Sequence, residues 1–168
     1  MTKNQNKAIF EHEIFVKFAT EMSWPTSPNF IQATEPPAPD ILYTGLEPPM
    51  AFELVEICAS DIAAESAKLR RNGGHFVIWT SDPTEEILKS KLEKSYVSTH
   101  PIHLLCYMNG RVVTPDSDVK GQITSILGNT TSNKFAQIWY FGEREIFEFS
   151  SLGKLLSTLT LRSATSKD

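Results

Sequence analysis

Residues 39–57 have the sequence PDILYTGLEPPMAFELVEI, in which two apolar segments flank a turn that is rich in Gly and Pro. Residues 40–43 and 50–57 have the composition of β-strands, so the segment predicts a hairpin. Glu53 and Glu56 interrupt the second strand, and burying a carboxylate without a partner costs several kcal/mol. Their presence therefore indicates a functional site, an ion pair with a basic residue or, for Glu56, a position that faces water.

An amphipathic helix is predicted upstream, where apolar residues recur at three- and four-residue steps over residues 7–24. Pro25 should end this helix. Glu11 falls within the apolar stripe, which would direct its carboxylate toward the core. Alternatively, Glu11 lies near the helix N-terminus, where an acidic side chain is favourable, and extends to water. The stripe consists of Phe10, Ile14, Phe15, Phe18 and Met22.

The predicted elements of the first half alternate between helices and strands. A strand at residues 29–34 precedes the hairpin, a helix at residues 60–72 follows it, and the apolar segment HFVIWT at residues 75–80 predicts a further strand. This order, αβββαβ, predicts an α/β fold with a central mixed β-sheet flanked by helices. The expected core residues are Phe15, Phe18, Ile41, Phe52, Leu54, Val77, Ile78, Leu104, Leu105 and Trp139.

The second half of the chain adds further helices and strands to the same domain. The length of 168 residues predicts a single domain spanning residues 1–168, with flexible segments at residues 1–6 and from about 158 to 168. Asn109-Gly110 favours a tight turn after a strand. The predicted elements are helices at residues 82–96 and 118–127, a strand at residues 102–108, and a hairpin of residues 135–141 and 145–149.

Composition and charge exclude several classes of protein. Hydrophobic residues make up 40% and charged residues 21%, which is typical of a globular domain rather than a disordered chain, a collagen or a coiled coil. The formal net charge of −4 predicts no chain-wide basic surface for nucleic acid. Cys58 and Cys106 lack the spacing of a zinc or redox motif, and no segment has a signal-peptide or membrane-spanning pattern. We therefore expect a cytoplasmic protein without membrane contact.

Three carboxylates can converge at the predicted hairpin. Asp40 begins one strand and Glu53 lies within the next, so a tight turn can bring both carboxylates to one edge, which Glu11 would approach from the helix. Hard oxygen ligands of this kind are those that Mg²⁺ and Mn²⁺ prefer. The sequence thus predicts a metal site formed by Asp40, Glu53 and Glu11, of the type that hydrolyses phosphodiesters.

These residues resemble the PD-(D/E)xK superfamily of nucleases, which has the restriction-endonuclease-like fold. Pro39-Asp40 matches the PD of the motif, Glu53-Leu54-Val55 stands in the place of (D/E)xK, and the αβββαβ order over residues 7–81 is similar to the family's core. The resemblance implies a Mg²⁺- or Mn²⁺-dependent nuclease in which Asp40 and Glu53 hold the metal. It also implies that Glu11 is a further ligand or the base that orients the attacking water.

The motif lysine is missing, because Val55 occupies its position. In the family, that lysine shares the strand face of the acid and helps to position or activate water. Glu56 is a further candidate catalytic group, but strand alternation places it opposite Glu53 unless a bulge redirects it. Lys68 would project away from the apolar stripe of its own predicted helix. A catalytically inactive, nuclease-like module that binds protein or nucleic acid is therefore the alternative function.

Basic residues that could contact phosphate groups are concentrated in one region of the sequence. Interleaved glutamates in the same region leave an ordinary solvated surface as the alternative interpretation. The main cluster consists of Lys68, Arg70 and Arg71, which Lys89, Lys91 and Lys94 of the next predicted helix could extend.

Three further features have competing interpretations. The aromatic hairpin at residues 135–149 would, if exposed, provide an interface for another protein, and a homodimer is compatible with either function. Asp116 and Asp118 form a second acidic cluster, which at the start of a helix is most simply an N-cap. His103 lies within an apolar strand and is predicted to be a core histidine rather than a metal ligand.

Overall fold

The computed structural model describes residues 3–57, 83–109 and 114–161. These residues form one seven-stranded mixed β-sheet and three α-helices, so the predicted α/β class is confirmed. Numbered in chain order, the elements are α1 (Lys3–Glu21), β1 (Ile31–Ala33), β2 (Ile41–Tyr43), β3 (Met50–Glu56), α2 (Thr84–Glu93), β4 (Ile102–Tyr107), α3 (Asp116–Gly128), β5 (Gln137–Phe141), β6 (Glu145–Ser150) and β7 (Leu155–Thr160).

The strands lie in the sheet in the order of the chain, from β1 to β7. β1, β2 and β3 form the antiparallel meander that the sequence predicts, and β5, β6 and β7 form a second one. β3, β4 and β5 are parallel, and α2 lies in the connection between β3 and β4. Parallel neighbours require a crossover, which explains why helices separate the middle strands.

α1 covers one face of the sheet with an aromatic core. Phe15 and Phe18 are fully buried, and the ring of Phe15 lies 4.9 Å from that of Phe52 on β3. The ring of Phe18 lies 5.5 Å from that of Trp139 on β5. Burial of side chains of this size contributes about 1.5–3 kcal/mol each, so the apolar stripe of α1 fixes the helix to the sheet.

The opposite face of the sheet is covered by α2 and α3. Leu88 of α2 packs with Leu104 of β4 in a second buried cluster, to which α3 contributes Ile123. Because side chains alternate along a strand, Leu54 of β3 belongs to the core under α1, whereas Glu53 contacts the lysines at the end of α2. The two faces of β3 therefore differ, since Phe52 and Leu54 are buried on the α1 side and Glu53 is buried on the α2 side.

Helix and strand extend into segments that the sequence predicts to be flexible. α1 already begins at Lys3, and β7 reaches Thr160, which is paired with Glu145 of β6. The sequence of β7, LLSTLT, does not alternate between apolar and polar residues, and its ladder partner is not apparent from local sequence. The turn at Asn109-Gly110, of which Gly110 lies outside the described residues, does not lead to an antiparallel partner of β4. Both edges of β4 are occupied by parallel strands.

The aromatic hairpin of β5 and β6 is buried, so the condition for its use as a protein interface, exposure of its rings, is not met. Trp139, Tyr140 and Phe147 are each exposed by no more than 4%. The rings of Tyr140 and Phe147 stack at 6.1 Å, with their planes 4° apart. These side chains are needed to fill the core on the two faces of the sheet, so they are not available to a partner.

Several predictions fall on segments outside the described residues. They concern the helix at residues 60–72 and the strand at residues 75–80. The residues involved are Cys58, Lys68, Arg70, Arg71, Val77 and Ile78. Within the part of the chain that the structure describes, no helix is both long and apolar enough to cross a membrane.

Candidate functional site

Asp40 immediately precedes β2 and lies beside β3. Ile41 of β2 is paired with Phe52, so the next position along the hairpin sets Asp40 across from Glu53. The Oδ2 atom of Asp40 accepts a hydrogen bond of 2.9 Å from the backbone N–H of Leu54. The side chain thus replaces the backbone acceptor that a longer β2 would provide, and this bond fixes the carboxylate at the edge of β3.

Glu53 is the buried carboxylate of the site, with only 2% of its surface exposed. Its Oε1 atom lies 2.6 Å from Nζ of Lys91 and 3.3 Å from Nζ of Lys94, which approach from the C-terminal end of α2. Removing one side of a buried ion pair costs about 3–5 kcal/mol, because the remaining charge loses its compensation. Glu53 therefore has the basic partners that one interpretation of the sequence requires.

A second set of ion pairs joins α1 to the hairpin. Nζ of Lys7 lies 2.7 Å from Oε1 of Glu11 and 3.2 Å from Oδ1 of Asp40. Lys7 and Glu11 share a helix face because they are four residues apart. One ammonium group thus bridges two carboxylates, although the side chain of Lys7 remains 61% exposed. We refer to Glu11, Asp40, Glu53, Lys7, Lys91 and Lys94 as the carboxylate–lysine cluster.

The surroundings of Glu11 favour its protonated form. Burial and the negative charges of Asp40 and Glu53 raise the pKa of Glu11 to about 7, although Lys7 lowers it. Burial lowers the pKa of Lys7, but the hydrogen bonds and charges of Glu11 and Asp40 raise it above its ordinary value. Glu11 therefore exchanges its proton near neutral pH, as groups that act as general acids or bases do.

Tyr96 lies next to the cluster, in the segment that follows α2. Burial raises the pKa of its phenol, and the negative charges of Glu53 and Asp40 raise it further. The ring of Tyr96 also has two lysine neighbours, with Nζ of Lys94 at 4.8 Å and Nζ of Lys134 at 5.5 Å from its centroid. The phenol of Tyr96 is therefore close enough to Glu53 and Asp40 for their negative charges to act on it. Its ring contacts the positive charges of Lys94 and Lys134, the latter on the loop before β5.

The cluster offers carboxylate oxygens, the ligand type that Mg²⁺ and Mn²⁺ prefer. Within residues 3–57, 83–109 and 114–161, no group of three or more His, Cys, Asp or Glu side chains is arranged to hold a metal ion. The structure therefore does not assemble Glu11, Asp40 and Glu53 into a three-ligand site. Mg²⁺ needs only one or two carboxylates where waters and a substrate phosphate complete its coordination. Asp40 and Glu53 fit that smaller set.

Glu56 does not belong to the cluster. The pairing of β3 with β4 continues without interruption from Ala51 to Glu56, so no bulge redirects this side chain. Glu56 therefore lies on the face opposite Glu53, as strand alternation predicts. Glu56 is therefore not brought together with the other candidate catalytic groups.

His103 is a buried histidine of the core, as the sequence predicts. Its Nδ1 atom accepts a hydrogen bond of 3.4 Å from Nε1 of Trp139, and its ring lies 5.0 Å from that of Phe52. Burial lowers the pKa of His103 to about 4. The imidazole is therefore neutral at physiological pH and contributes to packing.

Lys91 and Lys94 are the site residues that sequence reasoning did not connect with Glu53. Lys91 lies in the last turn of α2 and Lys94 directly follows the helix, so both reach Glu53 from the same end of α2. α2 occupies the crossover from β3 to β4, and a crossover helix packs against the strands that it connects. A lysine pair on such a helix, together with a glutamate within the preceding strand, is the signal that would have identified the contact.

Asp116 has a structural role that differs from the predicted N-cap. Its Oδ2 atom accepts hydrogen bonds from the backbone N–H groups of Arg144 at 2.9 Å and Glu145 at 3.2 Å. Its Oδ1 atom accepts hydrogen bonds from the backbone N–H of Glu143 at 3.1 Å and the hydroxyl of Tyr140 at 3.0 Å. The carboxylate thus binds the turn between β5 and β6 instead of the first turn of α3.

The carboxylate–lysine cluster combines three carboxylates with three ammonium groups, so it offers both the oxygen ligands that a divalent cation prefers and the positive charges that a phosphate group prefers. Comparisons of the chain with protein-family models, with curated proteins and with solved structures found no match. The functional assignment therefore depends on the geometry of the cluster.

Proposed function

We propose that this protein is a divalent-metal-dependent nuclease that hydrolyses phosphodiester bonds of DNA or RNA. The proposal depends on the position of Lys91, whose Nζ atom lies 2.6 Å from Oε1 of the buried Glu53. β3 itself offers only Val55 at the position of the motif lysine. Lys91 of α2 thus supplies, beside the acid, the positive charge that the PD-(D/E)xK motif would place on the strand.

The order of the elements also supports the resemblance to PD-(D/E)xK nucleases. α1 precedes the meander of β1, β2 and β3, and a connection containing α2 leads to the parallel strand β4. This is the order αβββαβ, although the sequence predicts its last two elements at residues 60–80. Among the described elements, α2 and β4 are the helix and the parallel strand that follow the meander. The hairpin that carries Asp40 and Glu53 is the one that the sequence predicts.

Asp40 and Glu53 are the residues that would hold a Mg²⁺ or Mn²⁺ ion. When bound, such an ion polarises a phosphate and lowers the pKa of a coordinated water. The backbone N–H of Leu54 orients Asp40, and Lys91 orients Glu53. Both carboxylates are therefore held in place in advance, which reduces the reorganisation that binding requires.

Glu11 is assigned the role of proton acceptor, because Lys7 links it to Asp40. The oxygen of a water molecule forms a bond to phosphorus, and the water proton passes to the carboxylate of Glu11. The bond from phosphorus to one sugar oxygen breaks, and this oxygen takes up a proton from solvent and leaves as a hydroxyl group. Lys91 stabilises the negative charge that develops on the phosphate oxygens during this step. Each role therefore belongs to a residue of the cluster.

Incubation of the purified protein with plasmid, single-stranded DNA and RNA in Mg²⁺ or Mn²⁺ tests this proposal. We expect cleavage by the wild type and a decrease of about a hundredfold or more for Asp40→Ala and Lys91→Gln. Lys89→Gln is the matched control, because Lys89 lies on the same helix but pairs with Glu85 at the surface. Cleavage by Asp40→Ala at the wild-type rate would contradict the assignment.

A nucleic-acid-binding module without catalytic activity is the second candidate. The observation that favours it is the charge balance of the cluster, in which three carboxylates contact three lysines. In this case the ion pairs serve to attach α1 and α2 to the hairpin. The second candidate predicts that oligonucleotides bind but are not cleaved with either ion.

A cytoplasmic location and a homodimer remain predictions within the same proposal. The thiol of Cys106 is free and buried on β4, which suits a reducing compartment. A dimer would have to use a surface other than the aromatic hairpin, whose rings are buried. Light scattering of the purified protein measures the oligomeric state directly.

A further inference from the structure

Two lysines and a tyrosine form a basic ledge beside the carboxylate–lysine cluster. Lys94 and Lys134 both lie over the ring of Tyr96, and Nζ of Lys134 donates a hydrogen bond to the backbone carbonyl of Lys94. The ring of Tyr96 packs at 5.8 Å from that of Phe135, which follows Lys134 in the chain. These contacts hold two ammonium groups on one aromatic support, which we call the basic ledge.

Neither ammonium group of the basic ledge is neutralised to the extent that Lys91 is. Lys94 is farther from Glu53 than Lys91 is, at 3.3 Å against 2.6 Å, and its side chain is 51% exposed. Lys134 is exposed and forms no ion pair with a carboxylate of the described segments; its contacts are two aromatic rings and the Lys94 carbonyl. Glu93 affects Lys134 only through a longer-range attraction.

The carboxylates of the cluster create a need for such charges. Asp40 and Glu53 attract a cation but repel a phosphodiester, which is itself an anion. Positive charges next to them can raise the local concentration of a polyanion and guide it to the cluster. Lys94 is a positive charge of this kind, because it contacts Glu53 and also belongs to the basic ledge.

We propose that Lys94 and Lys134, supported by Tyr96, bind a backbone phosphate of the nucleic acid next to the phosphodiester that is cleaved. This inference rests on the proposed function, which supplies the nucleic acid. Lysine side chains bind phosphates of DNA and RNA with little regard to sequence, so the basic ledge contributes affinity and position but no base specificity.

Binding measured in EDTA tests the basic ledge separately from catalysis. Fluorescence anisotropy gives the dissociation constants of short DNA and RNA oligonucleotides over a range of salt concentrations. We expect weaker binding of both nucleic acids by Lys134→Gln and by the double variant Lys94→Gln/Lys134→Gln. The slope of log affinity against log salt should fall by about 1 for each lysine removed. Lys134→Arg keeps the charge and should bind as the wild type does.

Lys120→Gln is the matched control for the loss of one lysine. Nζ of Lys120 lies 5.0 Å from the ring of Phe147 on β6, so it is also a lysine over an aromatic ring. On β6, Phe147 is paired with Tyr140, near the end of β5 that is farther from Phe135, so the control lies away from the basic ledge and should leave the salt slope unchanged. Circular dichroism of each variant checks that the fold is retained.

The outcomes separate this inference from the proposed function. Weaker binding by the double variant supports the basic ledge, even if the wild type cleaves no substrate and the nuclease proposal fails. An affinity and salt slope equal to those of Lys120→Gln would overturn the basic ledge, even if cleavage is observed. Failure of the wild type to bind either nucleic acid in EDTA would overturn it as well.

Discussion

Asp40 and Asp116 both accept hydrogen bonds from backbone N–H groups, but they differ in how many of their lone pairs are engaged. Asp116 accepts four hydrogen bonds, from the N–H groups of residues 143–145 and the hydroxyl of Tyr140. Among the described residues, Asp40 accepts one backbone hydrogen bond, from Leu54, and its other contact is the ammonium group of Lys7. A carboxylate offers about four lone-pair positions, so Asp116 is saturated while Asp40 retains capacity.

This difference distinguishes a structural carboxylate from one that can act on a ligand. The donors to Asp116 are mostly backbone groups, which cannot leave without opening the turn between β5 and β6. The side chain of Lys7 is largely exposed and can move away from Asp40 at little cost. A cation can therefore take the place of Lys7, whereas no ligand can replace the backbone donors of Asp116.

The largest effect is expected at the saturated carboxylate. Asp116→Ala removes the acceptor of three backbone N–H groups and of the buried Tyr140 hydroxyl. Hydrogen bonds to a charged group contribute about 1.5–3 kcal/mol each when they are shielded, and several of these are exposed. We expect the free energy of unfolding in urea to fall by about 3 kcal/mol.

Asp118→Ala provides the control for this prediction. Asp118 also lies in the first turn of α3, but within the described part of the chain its carboxylate accepts a hydrogen bond only from the neighbouring Ser117 hydroxyl. Its removal should change the free energy of unfolding by less than about 0.5 kcal/mol. Equal losses in the two variants would show that negative charge at the start of α3, rather than the turn contact, determines stability.

The fold could be predicted to the extent that its signals are local. The apolar stripe of α1 and the hairpin of residues 40–57 depend on residues that are close in sequence, and both are present. The strand at Leu155–Thr160 lacks such a signal, because its six residues are all exposed and it is held by pairing with β6.

The candidate site could be predicted only in its acidic half. Glu11, Asp40 and Glu53 are conspicuous because they interrupt apolar segments. Lys91 is 38 residues from Glu53, and their contact depends on the crossover from β3 to β4. The role of Asp116 was obscured for the same reason, since its backbone donors lie 27 to 29 residues away.

The second prediction tests whether Glu11 of the carboxylate–lysine cluster retains a proton near neutral pH. The pKa of Glu11 is about 7 in the folded protein and 4.5 as its ordinary value, so the folded state binds the proton more tightly. The resulting stabilisation is complete below pH 4.5 and is lost as the pH rises through 7. Between pH 5 and 7, the loss amounts to about 2 kcal/mol.

His103 produces a slope of opposite sign in the same interval. Its pKa is about 4 in the folded protein against an ordinary 6.5, so protonation favours the unfolded state and stability rises by about 2 kcal/mol from pH 5 to 7. The contributions of Glu11 and His103 to the wild-type profile should therefore largely cancel. In urea unfolding, the stability of Glu11→Gln should rise from pH 5 to 7, because only the contribution of His103 remains. The stability of His103→Gln should fall over the same interval, because only the contribution of Glu11 remains.

Glu13→Gln is the control for the pH experiment, because Glu13 is exposed on the same helix as Glu11. Its stability profile should run parallel to that of the wild type. If Glu11→Gln also runs parallel to the wild type, Glu11 is ionised over this interval and the cluster does not retain a proton.

The third prediction has the smallest expected effect, and it compares the two aspartates directly. A ligand that binds only the folded state stabilises it by RT ln(1 + [L]/Kd), or about 1.4 kcal/mol when free Mg²⁺ or Mn²⁺ is ten times Kd. For a protein of this size, we expect the melting temperature at pH 7 to rise by roughly 3 to 6 °C. Asp40→Asn should abolish this rise, since it removes a carboxylate that would hold the ion.

Asp116→Asn and Lys7→Gln complete the comparison. Asp116→Asn should melt at a lower temperature than the wild type but keep the full response to the metal, because its carboxylate is occupied by backbone donors. Lys7→Gln should respond at lower metal concentrations, because the ion no longer competes with an ammonium group that bridges Glu11 and Asp40. An unchanged response in Asp40→Asn would place the ion elsewhere. In that case Asp40 would bind no ion and would act only through its ion pair with Lys7. The two aspartates would then differ only in how much they stabilise the fold.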